Sequence, residues 1–144
     1  MFERQSSWLY RMSILAVSME WLGFGACHFL FRADTEAQIP DIFPFKTFIA
    51  VATGIVEVTT GVLVLFPRTR KWAAIVSLVL LAMFLPSIYR LMTHGEIIRG
   101  SVAFRNIARA VLLPNHVFLA LCAIYLLRWA ERPAPEPSAR ASLA

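Results

Sequence analysis

Six polar side chains fall within or at the edge of stretches that are otherwise almost wholly apolar: Glu20, His28, Glu57, Arg109, Asn115 and His116. Carboxylate, imidazole, amide and guanidinium groups in such surroundings can bind a polar ligand head or pass a proton. In hydrocarbon they are costly, so they face a helix-bundle interior or a cavity and point to function by default. Glu20, Glu57, Asn115 and His116 all fall near the middle of their stretches and are expected to meet near the membrane midplane. His28 follows Glu20 by eight residues, about 80° around a helix and about 12 Å along it. That puts it on the same broad face, nearer one surface. Arg109 and His116, seven apart, share a helix face. Each has a structural alternative. A buried Glu can be a protonated carboxyl hydrogen-bonded to Thr53 or a facing amide. An interfacial His is commonly a satisfied structural group, and Arg109 can snorkel to headgroups.

A Glu–Glu–His set also raises metal binding. Di-iron bundles use Glu-x-x-His pairs, but Gly23 and Thr60 stand three positions after Glu20 and Glu57, so no metal site is expected. No phosphate-binding glycine loop, nucleophile elbow or zinc-protease helix is present.

Four apolar runs must position these groups, each near the roughly 20 residues that cross a bilayer. They extend over about Trp8 or Met12 to Phe31, Thr47 to Phe66, Trp72 to Met92, and Ile107 to Leu127. Only helices or closed barrels satisfy the backbone in lipid, and barrel alternation is absent. The second run tolerates its glutamate: eleven Leu, Ile, Val and Phe lie between Thr47 and Phe66. They contribute about −5 kcal/mol against about +3 for the acid. Arg4 and Arg11 before Ile14-Leu15-Ala16-Val17 resemble a signal peptide, but Glu20 interrupts the run and no small-x-small site follows. Gly54 and Gly61, with Thr53 and Thr60 beside them, form a small-residue face for close helix approach and would also suit a homodimer. Pro86 and Pro114 are expected to kink the third and fourth helices. The acid- and proline-rich connection 32–46 reads as a surface cap or partly re-entrant segment.

Composition agrees. Of 144 residues, 58% are hydrophobic and 16% charged, against about 45–50% and about 25% in soluble domains. That excludes a large two-domain soluble enzyme and a disordered chain. The fold class is an all-α membrane protein: a four-transmembrane-helix bundle over 1–131, followed by a disordered cytoplasmic tail over 132–144. The net charge of +5 comes from basic residues at the ends of the runs, so the partner it implies is the lipid bilayer. No basic stripe interleaved with aromatics supports nucleic-acid binding. With the N-terminus inside, Arg4, Arg11, Arg68, Arg70, Lys71, Arg128, Arg132 and Arg140 face the cytoplasm. Arg32, Lys46, Arg90, Arg99, Arg105 and Arg109 face outward. The bias places both termini in the cytoplasm and the protein in the cell (inner) membrane as a multi-pass protein. Cys27 and Cys122 fall near opposite membrane faces, too far apart for a bridge.

Several short motifs, in order and spacing, resemble the DoxX family of small four-helix membrane proteins. They are Gly25-Ala26-Cys27-His28-Phe29, Ile39-Pro40, Phe43-Pro44, Thr53-Gly54-Ile55-Val56-Glu57, Gly61, Pro67-Arg68-Thr69-Arg70 with Ala73-Ala74, Leu85-Pro86-Ser87, and Arg109 with Leu113-Pro114-Asn115. The likeness covers about Ser13 to Leu127. It departs where that family often carries a Phe-Pro-Ala-Asn element, since Phe84-Leu85-Pro86-Ser87 has no Asn. The resemblance implies an association with membrane redox complexes and marks His28, Glu57 and Arg109 as family-like positions.

Three functions follow as expectations. The first is a redox-linked subunit that binds quinone or a similar lipid-soluble ligand within the bundle. Glu57 and His116 would exchange protons, Arg109 and His28 would sit at the outer entrance, and a membrane or peripheral protein partner would carry the flavin, iron or sulfur chemistry. At most this is an oxidoreductase subunit, with no covalent cofactor of its own. The second is a small-molecule binding or transport module. The third is a non-catalytic accessory subunit of a larger membrane complex.

Overall fold

The computed structural model describes residues 2–93 and 102–130. The expected tail over 132–144 and most of the connection between the last two helices lie outside the described residues. The elements are α1 (Phe2–Leu30), α2 (Arg32–Gln38), α3 (Lys46–Leu63), α4 (Arg70–Thr93) and α5 (Val102–Ala130). Four of them are long and apolar enough to cross a membrane, over Trp8–Leu30, Lys46–Leu63, Arg70–Tyr89 and Ala110–Trp129. Large apolar side chains on their outer faces are exposed, among them Met19, Phe48, Trp72, Met83 and Leu121. A soluble globule does not present contiguous apolar surface on this scale, whereas a bilayer solvates it. The chain is thus an all-α, multi-pass membrane bundle.

The helices outrun the apolar stretches. α1 begins at Phe2 and α5 at Val102, ahead of the apolar starts at Trp8 and Ile107. Apolarity marks what lipid covers, and a helix can continue past the lipid edge. The acid-rich connection forms the short α2, which packs against α1 and α3 with no buried residue.

α1 packs most extensively on α3, and α4 on α5. The core lies where α1, α4 and α5 converge, around Val17, Trp21, Ala73, Ala74, Leu80, Leu81, Leu119, Cys122 and Leu126. Both cysteines are free thiols, with Cys122 buried in this core. The α1–α3 crossing rests on glycines. A Cβ on Gly61 would lie 2.9 Å from Leu22 Cγ, and one on Gly25 would lie 2.9 Å from both the Gly54 carbonyl oxygen and the Val58 nitrogen. Ser18 Oγ donates to the Gly61 carbonyl at 2.8 Å. The Gly54–Gly61 face expected to suit a homodimer is occupied by α1 of the same chain.

At the opposite end from α2, Arg70 closes the bundle. Its Nε donates to the Val64 carbonyl at 2.8 Å and Nη2 to the Leu65 carbonyl at 2.7 Å. These are carbonyls that the end of α3 leaves without helical donors. Nη1 donates to Tyr10 Oη at 2.8 Å. The guanidinium lies 5.3 Å from the Tyr10 ring centroid, and that ring stacks on Trp129 at 4.8 Å. One residue of the basic turn thus ties α1, α3, α4 and α5 together. Arg70→Met is expected to lower stability by about 1–3 kcal/mol, the scale of losing charge-assisted hydrogen bonds. Arg70→Lys should recover only part of it, because an ammonium cannot make the fork. Thermal unfolding in a fixed detergent measures both, and equal midpoints for wild type and Arg70→Met would refute the assignment.

Candidate functional site

The site begins with helical spacing. On α1, Trp21, Phe24 and His28 recur at three- and four-residue steps and form one stripe, which Phe31, just past the end of the helix, extends. Glu57 sits about 16 Å along α3 from Lys46 at 1.5 Å per residue, deep within the candidate span. Three positions before it, on the same face, is Gly54. A Cβ there would lie 2.7 Å from His28 Cβ, so the missing side chain is the seat on which His28 rests. That seating brings His28 Nε2 to 3.3 Å from Glu57 Oε2.

Between the helices is a cavity of about 360 Å³, within the range of small-molecule sites. α1 contributes its stripe and Cys27, α2 contributes Asp34, Thr35 and Gln38, and α3 contributes Glu57. The far wall is Leu81, Phe84, Ser87 and Ile88 of α4 with Leu112 and His116 of α5. The lining is mainly apolar and aromatic, with a few convergent polar groups.

Those polar groups are poorly satisfied. Glu57 is 1% exposed, yet its Oε2 has only the His28 ion-pair contact, its Oε1 has no hydrogen-bond partner, and His28 Nδ1 is buried without one. Most buried polar atoms are paired, and an exception calls for an explanation. On the other wall His116 Nε2 lies 2.7 Å from the Leu81 carbonyl. Pro86 lies inside α4 and cannot donate to the carbonyl of Ala82, so His116 braces α4 one residue from that gap. Trp21 closes the inner end: it is 1% exposed, its Nε1 donates to Ser77 Oγ at 2.8 Å, and Ser77 Oγ donates on to the Ala73 carbonyl at 2.8 Å.

The six expected site residues thus separate. His28, Glu57 and His116 line one cavity. Asn115 Nδ2 donates to Glu20 Oε1, so this second pair joins α1 to α5 and does not line the cavity. The single midplane cluster expected for Glu20, Glu57, Asn115 and His116 is therefore two separate groups. Glu20 lies one position from Trp21, about 100° around α1, which turns it toward α5. His28, expected at the entrance, is Glu57's ion-pair partner. α3 continues about 12 Å beyond the level of His28, and α2 covers that stretch and forms the rim. The side chain of Arg109 lies outside the described residues. Among the described residues, no three His, Cys, Asp or Glu side chains form a metal-holding group. Trp21, Phe24, Phe31 and the α2 rim were not anticipated as site residues. The seven-residue interval from Trp21 to His28 was the available signal for a shared face.

Residues 17–127 match the family described as Domain of unknown function (DUF8561). No curated protein and no solved structure matches the chain.

Proposed function

The chain belongs to the DUF8561 family, and we propose from its site geometry that it is a membrane-embedded, redox-linked subunit binding quinone or a similar lipid-soluble ring between its helices. The observation that carries this reading is the Glu57–His28 pair: two ionisable groups 3.3 Å apart through Glu57 Oε2, with Oε1 lacking a hydrogen-bond partner, on the wall of an aromatic cavity. Trp21, Phe24, Phe31 and Phe84 offer ring faces on which a flat ligand stacks. Glu57 and His28 on one side, and His116 on the other, can each hold or yield a proton at a ligand oxygen. The resemblance to the DoxX family supports the redox setting, with electrons handled by a protein partner in the cell membrane. The same polar cavity also supports the second reading, a binding or transport module for a small amphiphile.

Protein purified in mild detergent from its own membrane is expected to carry a stoichiometric lipid-soluble ring compound, identified by native mass spectrometry and solvent extraction. Glu57→Gln keeps size and fold but removes the carboxylate. A hydrogen bond to a charged group is worth about 1.5–3 kcal/mol, so ligand affinity should fall about 10- to 150-fold with little change in unfolding midpoint. Protein that is empty in wild type and variant alike, and that co-purifies with another subunit, would replace this reading by that of an accessory scaffold.

A further inference from the structure

Of the donors that line the cavity, those of Trp21, Thr35 and His116 are engaged within the protein, while the Gln38 amide can donate or accept. Trp21 Nε1 donates to Ser77 Oγ, and the Thr35 hydroxyl donates to the Arg32 carbonyl at 2.8 Å. His116 Nε2 faces the Leu81 carbonyl at 2.7 Å. A carbonyl only accepts, so His116 Nε2 carries a proton and donates it, and Nδ1 is an acceptor when the ring is neutral. Across the cavity, Glu57 Oε1 and His28 Nδ1 are buried without hydrogen-bond partners, while Oε2 faces His28 Nε2 at 3.3 Å. The carboxylate beside His28 Nε2 keeps a proton on that nitrogen, so Nδ1 accepts when the ring is neutral and donates when it is charged. Ser87 can act in either sense. No Lys or Arg is among the described residues that line the cavity.

We propose that this site selects the reduced, hydroxyl-bearing form of its ring ligand, an aromatic diol of the hydroquinone class, over the matching dicarbonyl. The inference rests on the reading that the cavity takes a quinone-type ring. A hydroquinone carries an O–H donor at each end of its ring, one for the Glu57 wall and one for the His116 wall. A quinone carries only lone pairs, which would oppose the lone pairs of Glu57. Selectivity here thus has an attractive and a repulsive half. Sites built for a hydroxyl discriminate strongly against analogues that lack it. Preferential binding of the reduced form by tenfold raises the potential of the bound two-electron couple by about 30 mV.

The test is an anaerobic calorimetric titration of the full chain in lipid nanodiscs with three probes of the same ring: tetramethylhydroquinone, tetramethylbenzoquinone and the dimethyl ether of the first. The diol is expected to bind at least tenfold more tightly than either of the others. In Glu57→Gln, whose amide can donate to a carbonyl, the diol-to-quinone ratio should shrink to about threefold or less, with thermal unfolding reporting that the variant is folded. Quinone binding equal to or tighter than diol binding would overturn the selectivity while leaving the quinone-site reading in place. An ether that binds as well as the diol would show that shape and not donation decides, and would overturn it too. If none of the three probes binds, the quinone-site reading fails and the selectivity with it. The wild-type comparison decides the proposal even if the variant does not fold.

Discussion

Trp21→Ala lowers the stability of the bundle by about 3–5 kcal/mol, the range for truncating a buried large aromatic. Trp21 is among the largest fully buried side chains and belongs to the core shared by α1, α4 and α5. Its ring also stacks with Phe84 at a centroid distance of 6.3 Å. Lipid cannot refill the space, because the ring lies inside the bundle. The cavity and the core would then merge, so ligand affinity should fall in the same variant. Trp21→Phe is the discriminating companion. It keeps an aromatic ring and loses the indole N–H, while Ser77 still donates to Ala73, so its cost should stay near 1 kcal/mol. Reversible unfolding in mixed micelles measures both. A loss below about 1 kcal/mol for Trp21→Ala would mean that this ring does not organise the core.

The second large effect concerns one methyl group. In Gly25→Ala the new Cβ would sit 2.6 Å from Val58 Cγ2 and 2.9 Å from two backbone atoms of α3. A side chain can rotate away, but the Gly54 carbonyl and the Val58 amide cannot move without the helix. Overpacking of this kind costs about 1–3 kcal/mol, and separating α1 from α3 also lifts His28 off Glu57. Gly23→Ala, two residues earlier, meets nothing within 4 Å. It should be neutral or stabilising by up to about 1 kcal/mol, since alanine favours the helix. Unfolding midpoints and ligand affinity for the pair give the answer. Equal behaviour of the two variants would refute the close α1–α3 crossing.

The four spans were legible because hydropathy reports directly what faces lipid, and the placement of Glu57 in mid-span followed from counting residues. Which polar groups meet was not legible. Spacing fixes the angle of His28 around α1 and its height along it, but not how far α1 is displaced along α3. That displacement is set by contacts distant in sequence, Gly25 on Gly54 and Val58, and Gly61 under Ser18 and Leu22. It moved His28 from an expected rim position to Glu57. Glu20 and Glu57 read alike as mid-span acids. Only the rotation of α1 shows that one pairs with Asn115 while the other faces the cavity. Gly54 and Gly61 were legible as a packing face, but the sequence does not say whether the neighbour is another helix of the same chain or a second copy.

The Arg70–Tyr10–Trp129 tie has a mechanical consequence. Local opening is easiest where buried contacts are fewest. One end of the bundle is clamped by a guanidinium and a ring stack, while at the other the cover is a seven-residue helix with no buried residue. The molecule is built like a clothes-peg, with its fulcrum at Arg70 and its jaws at α2. Loosening the fulcrum changes how fast the jaws part more than how well they grip. A variant at Arg70, which does not line the cavity, should therefore shorten the residence time of a bound molecule even where the contacts that hold it are untouched.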